Sequence, residues 1–242
     1  MPVPIGHIEA LYRYPVKSMR GERLDRAPLG WHGLEGDRRL ALRRLDDRSG
    51  FPWLSASKLP ELVRFTPRRG GDAGADALPT HVLTPEGEAL PAFGESLASR
   101  ITRRGAGAVE MTHLRQGVFD DASISVITST TVSEVCRLAA TAEDVRRFRP
   151  NILVRSARTA PFEEDGWLGG VLAFGESADA PAVTITTRDV RCAMLNIDPD
   201  DASIRSEMLK AVVRANGNNA GVYATVTRIG ELKVGQPVVL HR

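Results

Sequence analysis

Cysteine is nearly absent, with two in 242 residues. That is too few for a disulfide scaffold, and Cys136 and Cys192 form neither a C-x-x-C pair nor a zinc spacing. No apolar run approaches the roughly 18 residues of a membrane span. The opening Met1-Pro2-Val3-Pro4 lacks the basic and apolar stretches of a secretory signal. These absences predict a reduced, cytoplasmic protein with no membrane partner. Net charge is also scarce, at +2 overall. Residues 1–120 carry 18 basic and 15 acidic side chains, and residues 121–242 carry 14 and 15. Such balance argues against nucleic acid as a partner. Lysine supplies only 4 of the 32 basic side chains, so a single Lys marks a position more sharply than a single Arg. Walker loops, G-x-G-x-x-G and H-E-x-x-H are all missing.

What remains is a globular composition, 42% apolar and 26% charged. The length fits one large domain or two small ones. Strand patterns dominate. Residues 5–14 end at Pro15, residues 38–44 put Leu40 and Leu42 on one face, and residues 80–90 read as a hairpin turning at Pro85-Glu86-Gly87. Residues 69–79 form a Gly/Ala/Asp loop expected to be mobile. Further strands are expected at 124–128, 151–155, 182–190, 221–229 and 237–241. A capping box at Thr131-Val132-Ser133-Glu134 predicts a helix start, with Val132, Val135, Cys136 and Ala139 inward. Residues 203–214 predict a second helix, with Ile204, Met208, Ala211 and Val212 inward and Asn216-Gly217 as its end. The expected fold class is mostly β with peripheral helices (α+β). A boundary is placed at 95/96.

The two cysteines differ. Cys136 sits on an inward helix face, where a free cysteine behaves as a small apolar residue. Cys192 follows the strand AVTITTRDV where its alternation breaks, and Arg191 beside it is expected to favour a thiolate. A nucleophilic thiolate wants a base, yet none of the five histidines stands in a recognisable motif. The alternative is a soft-metal ligand. One thiolate cannot hold a metal alone, so an organic cofactor would have to bring the other ligands. Anion-binding features are present. Lys17 and Ser18 end the first strand, Asp37-Arg38 opens the second, and Arg146-Arg147-Phe148-Arg149-Pro150-Asn151 enters another. Ser129 and Thr130 precede the predicted helix start, where free N–H groups suit an anion.

These segments, taken in order, resemble one family. YPVKSMRG (14–21), GDRRLAL (36–42), LSASKLPEL (54–62), RFRPNILV (147–154), PFEEDGW (161–167), RCAMLNIDPD (191–200) and LKVGQPVVL (232–240) are similar to the successive motifs of the MOSC proteins. The resemblance spans nearly the whole chain. It implies an N-terminal β-barrel-like segment (1–95) packed on a MOSC-type β-barrel (96–242). It also implies molybdenum cofactor, with Cys192 as the protein ligand to molybdenum. Lys17, Ser18, Arg38, Arg149, Asn151 and Arg191 would match cofactor-binding positions, and Ser129 and Thr130 would match more loosely.

The activity so implied is a two-electron reduction of an N-hydroxylated small molecule, with N–O cleavage and loss of water. Electrons would come from a separate protein, because the chain lacks the four cysteines of an iron–sulfur cluster. Two other roles stay open. Cys192 could carry a persulfide, although no pyridoxal-phosphate domain accompanies it, or the chain could store and deliver cofactor without turnover. Two departures from the pattern are notable. Ser57, with Lys58 beside it, stands where many relatives have Arg. Ala193-Met194-Leu195-Asn196 lacks a Thr common after the cysteine.

Overall fold

A computed structural model describes residues 2–70 and 78–242. Most of the Gly/Ala/Asp loop expected at 69–79 lies outside them. Seven strands close into a barrel: β1 (Val3–Arg13), β2 (Ile124–Thr128), β3 (Ile152–Ser156), β4 (Val171–Phe174), β5 (Ala182–Val190), β6 (Asn219–Arg228) and β7 (Pro237–His241). Their spatial order is β3-β2-β6-β5-β4-β7-β1, and β1 pairs back onto β3 to complete the circle. All neighbours run antiparallel except β2 and β3, which are parallel. A parallel pair needs a crossover, and helix α2 (Ser129–Leu138) lies in it.

Alternation fills the barrel. Ile124 and Val126, Ile152 and Val154, Leu172 and Phe174, Val183 and Ile185, Val222 and Ala224, and Val238 and Leu240 all belong to one buried cluster. Each pair is two residues apart, the period at which side chains share a sheet face. On β1 the register shifts between Ile8 and Ala10, so Ile8 and Leu11 both join the interior although three residues apart.

A second core lies beside the barrel. Strand Leu40–Arg44 pairs with Val109–His113, the hairpin His81–Leu83/Ala89–Pro91 pairs with Thr66–Arg68, and helix α1 (Glu95–Ile101) packs there. Val16, Leu40, Leu42, Leu62, Phe65, Val82 and Leu97 form its centre. The second strand opens at Leu40 rather than residue 38, because Arg38 takes a left-handed conformation that a strand cannot hold. The third core packs α2 and α3 (Glu207–Asn216) on the barrel wall, burying Val132, Val135, Cys136, Ala139, Met208, Ala211 and Val212. Mostly β with peripheral helices is the fold observed.

Two helix starts differ from the sequence pattern. α2 begins at Ser129, not at the Thr131 box, because the Thr128 hydroxyl accepts from the Thr131 amide at 3.2 Å. The hydroxyls of Thr128 and Thr131 also donate to Glu164 Oε2, at 3.1 and 3.0 Å. Glu164 is fully buried, and among the described residues its Oε1 has no hydrogen-bond partner. α3 begins at Glu207, so Ile204 is not inward but 65% exposed. The backbone there is already committed elsewhere: Asp198 N donates to Ser203 O, and Arg205 N to Asn196 O, both at 2.8 Å. Gly217 then ends α3 in the left-handed conformation expected of it.

Candidate active site

β1 leaves the barrel at Arg13, and the next residues run along segment 37–40. Arg38 N donates to Tyr14 O at 2.7 Å, Lys17 N to Leu40 O at 2.8 Å, and Leu40 N to Pro15 O at 3.1 Å. Asp37, fully buried, anchors this seam. It accepts from Tyr14 N at 2.7 Å and Asn151 Nδ2 at 3.1 Å, and it pairs with the Arg38 guanidinium. Asn151 is buried beneath the seam rather than facing a ligand. Its Oδ1 accepts from Ser125 N and Arg38, and its Nδ2 also donates to Tyr12 O. The amide is therefore fully engaged, and it positions Arg38 instead of offering a free contact.

Three residues of the site share an unusual backbone. Ser18, Arg38 and Arg149 have φ of 66°, 50° and 53°. Each such residue is strained unless its surroundings enforce it. Here they do: Arg38 donates to the Arg149 carbonyl at 3.2 Å, and Arg149 donates to the Met19 carbonyl at 2.8 Å. Both guanidinium groups stack on the Tyr14 ring, 4.8 and 4.1 Å from its centroid. Gly21 is needed against the same ring, since a Cβ there would lie 2.4 Å from Tyr14 Cε1. Among the described residues Arg149 has no carboxylate partner. Burial pulls its pKa down to about 10. Lys17 is held below the ordinary lysine value by burial, against the raising effect of Asp120 at 2.7 Å.

Cys192 approaches from the other half. β5 ends at Val190, and Cys192 opens the short turn Ala193–Asn196 with its side chain exposed. Asp189 fixes this strand end. It is buried, accepts from Ser125 Oγ at 3.0 Å, and pairs with Arg191. The Tyr223 hydroxyl hydrogen-bonds to it as well, and burial raises the Asp189 pKa despite Arg191. Arg191 also donates to Phe148 O at 2.6 Å. Its guanidinium is thus directed at Asp189 and Phe148, not at the thiol as the sequence order implied. Arg147 ties the next turn down, pairing with Asp198 and donating to Asn196 O.

Lys17, Ser18, Arg38, Arg149, Arg191 and Cys192 line one cleft of about 270 Å³. They come from four separated stretches of sequence. Arg147, from the arginine-rich run 146–151, lines it too, as do Asp120, Asp189 and Tyr223, and sequence reasoning missed these last three. Asp189 carried a signal: it is a carboxylate in phase with inward-facing Val183 and Ile185. Ser129 does not reach this cleft. It lines an adjoining cavity of about 440 Å³, which shares Arg147, Arg149 and Met194 with the first. Thr130 lines neither cavity, and Ser57 and Lys58 are exposed outside both. The first turn of α2 therefore faces the second chamber rather than the thiol. Cys136 is buried in the helix core, where burial raises its thiol pKa.

Comparison with known proteins was made on sequence and on structure. The family model for the MOSC domain matches residues 105–239, and that for the MOSC N-terminal beta barrel domain matches residues 5–103. No curated protein sequence matches the chain. The crystal structure of the YUAD protein from Bacillus subtilis superposes with a TM-score of 0.54 at 14% identity, covering 100% of this chain and 97% of that one. YiiM from Geobacillus stearothermophilus is 19% identical, with a TM-score of 0.38 over 50% of this chain and 54% of its own. At these identities the likeness to YUAD speaks for the fold alone.

Proposed function

The chain belongs to the MOSC domain family, and from that premise we propose that its cleft binds molybdenum cofactor, with Cys192 as the protein ligand to the metal. The observation that carries this reading is the meeting of an exposed thiol with Lys17, Arg38 and Arg149 in one cleft. The donor set fits the group. A thiolate suits a soft metal, while lysine and arginine suit a phosphate. Among the described residues no group of three His, Cys, Asp or Glu side chains could hold a metal ion, so any metal here needs ligands brought by a cofactor. Bound, the cofactor would supply two-electron redox chemistry.

The reaction proposed is reduction of an N-hydroxylated small molecule. The N–O bond breaks, two electrons and two protons are taken up, and water leaves. The protein's part is positional. Lys17, Ser18, Arg38 and Arg149 would hold the anionic cofactor, and Ser129 would serve its extension into the adjoining cavity. Asp37 and Asn151 hold Arg38, while Asp189 and Arg191 fix the strand end that presents Cys192. The exposed position of Cys192 leaves the metal end open to a substrate. The electron donor would be a separate protein, and the setting cytoplasmic. No helix among the described residues is long and apolar enough to cross a membrane.

Expression in a host that makes the cofactor tests this. Stoichiometric molybdenum, and reduction of an N-hydroxylated compound by reduced viologen, are expected. Labile sulfur on Cys192 without molybdenum would instead indicate a sulfur carrier. Bound cofactor without turnover would indicate a storage or delivery protein.

A further inference from the structure

Among the described residues four carboxylates neutralise cations of the cleft, and three are built into the fold. Asp37 is fully buried and accepts from Tyr14 N and Asn151 as well as pairing with Arg38. Asp189 is 2% exposed and accepts from Ser125 besides pairing with Arg191. Asp198 pairs with Arg147 and accepts from Asp200 N at 3.0 Å. Asp120 is different. Its side chain is 65% exposed, and among the described residues its hydrogen-bond partner is Lys17 at 2.7 Å. The loop around it is pinned on both sides. Val118 N donates to Arg38 O at 2.9 Å, and Thr187 Oγ1 donates to Asp121 Oδ2 at 2.7 Å. Asp120 can therefore leave Lys17 by rotating its side chain, with the loop unmoved.

We propose that Asp120 is a displaceable counter-ion, holding the oxyanion position on Lys17 until a phosphate-type ligand takes it. This rests on the cofactor reading above, which supplies such a ligand. The Lys17 side chain is only 6% exposed. A buried ammonium with no counter-ion is costly and tends to lose its proton. Asp120 keeps it charged and in place until an anion arrives. Burial alone would raise the Asp120 carboxyl, yet Lys17, Arg38 and Arg149 together hold it below the ordinary range. It sits in the same field that an oxyanion would use. The consequence is competition, because each ligand must first break the Lys17–Asp120 pair.

The test uses the full chain made without cofactor, titrated with inorganic phosphate at constant ionic strength and followed by thermal denaturation. Asp120→Asn should bind phosphate roughly tenfold more tightly than wild type, since one repelling charge and one ion pair are removed. Asp120→Ser should do the same, so a folding defect in one variant does not decide the matter. The gain should vanish when Lys17→Met is added. If both Asp120 variants bind phosphate no more tightly than wild type, while wild type binds and Arg149→Met does not, the counter-ion role is wrong and the cofactor reading stands. If neither wild type nor the Asp120 variants respond to phosphate, both fall together.

Discussion

Replacing Glu164 by Gln should flatten part of the protein's stability–pH profile. Glu164 is fully buried and receives the hydroxyls of Thr128 and Thr131 on one oxygen, while the other has no hydrogen-bond partner among the described residues. Burial pushes its pKa up to about 7 from an ordinary value of 4.5. The sign follows directly. A carboxyl whose pKa is raised on folding binds its proton more tightly in the native state, so its contribution is fully present below about pH 4.5. That contribution is lost as pH rises through about 7. The shift corresponds to roughly 3 kcal/mol between these limits, an upper figure because the site can relax. Gln keeps an acceptor for both hydroxyls and carries no charge. Urea unfolding of wild type and Glu164→Gln at pH 5 and pH 8 would show it. The variant should gain on wild type by roughly 1–3 kcal/mol in going from the lower pH to the higher. Asp189, also raised by burial, adds a slope of the same sign to both proteins and cancels in the difference. Parallel profiles for the two proteins would refute the reasoning.

Cys192→Ser should abolish molybdenum-dependent turnover while leaving the circular dichroism unchanged, because an alcohol is a harder and far less acidic ligand. Cys136→Ala should cost about 1–2 kcal/mol in denaturant titrations and leave turnover intact, since it only empties part of the helix core. Asn151→Ala should destabilise by roughly 2–3 kcal/mol and also weaken cofactor retention, measured as molybdenum content, because Asp37, Arg38 and two backbone groups lose a shared partner. The holoprotein should not oxidise NADH in a spectrophotometric assay, and enzyme-like rates would reveal a nucleotide or flavin site.

Much of the barrel was legible because its strands alternate. Ile124/Val126 and Val238/Leu240 announce their inward face without any knowledge of their neighbours. The seam between Tyr14–Ser18 and residues 37–40 was not legible, since backbone hydrogen bonds leave no mark on residue type. Left-handed Ser18, Arg38 and Arg149 were hidden for a related reason. Glycine would have advertised such a conformation, whereas here partners elsewhere in the fold impose it. Lys17, Arg38 and Cys192 could be singled out from chemistry and resemblance. Asp120 could not, because it became meaningful only once Lys17 was found beside it. The helix start at Ser129 is masked in the sequence by the capping-box pattern two residues later, because Thr128, held by the distant Glu164, sets it.

The closure of the barrel by β1 has a consequence for biosynthesis. β1 is made long before its partners β3 and β7, where Val3 faces Leu240 and Ile8 faces Val154. Its Leu11–Arg13 end is covered early by Glu22–Leu24, but the edge at Val3–His7 stays unpaired until β7 joins it. Contacts of such long sequence separation slow folding and expose strand edges to wrong partners meanwhile. Val3 and Leu240 are also neighbours in space, so a short linker between the two ends would let the chain be cut elsewhere. A permuted chain in which β7 runs directly into β1 would have this hairpin ready early. It should refold faster than the natural order while building the same cleft.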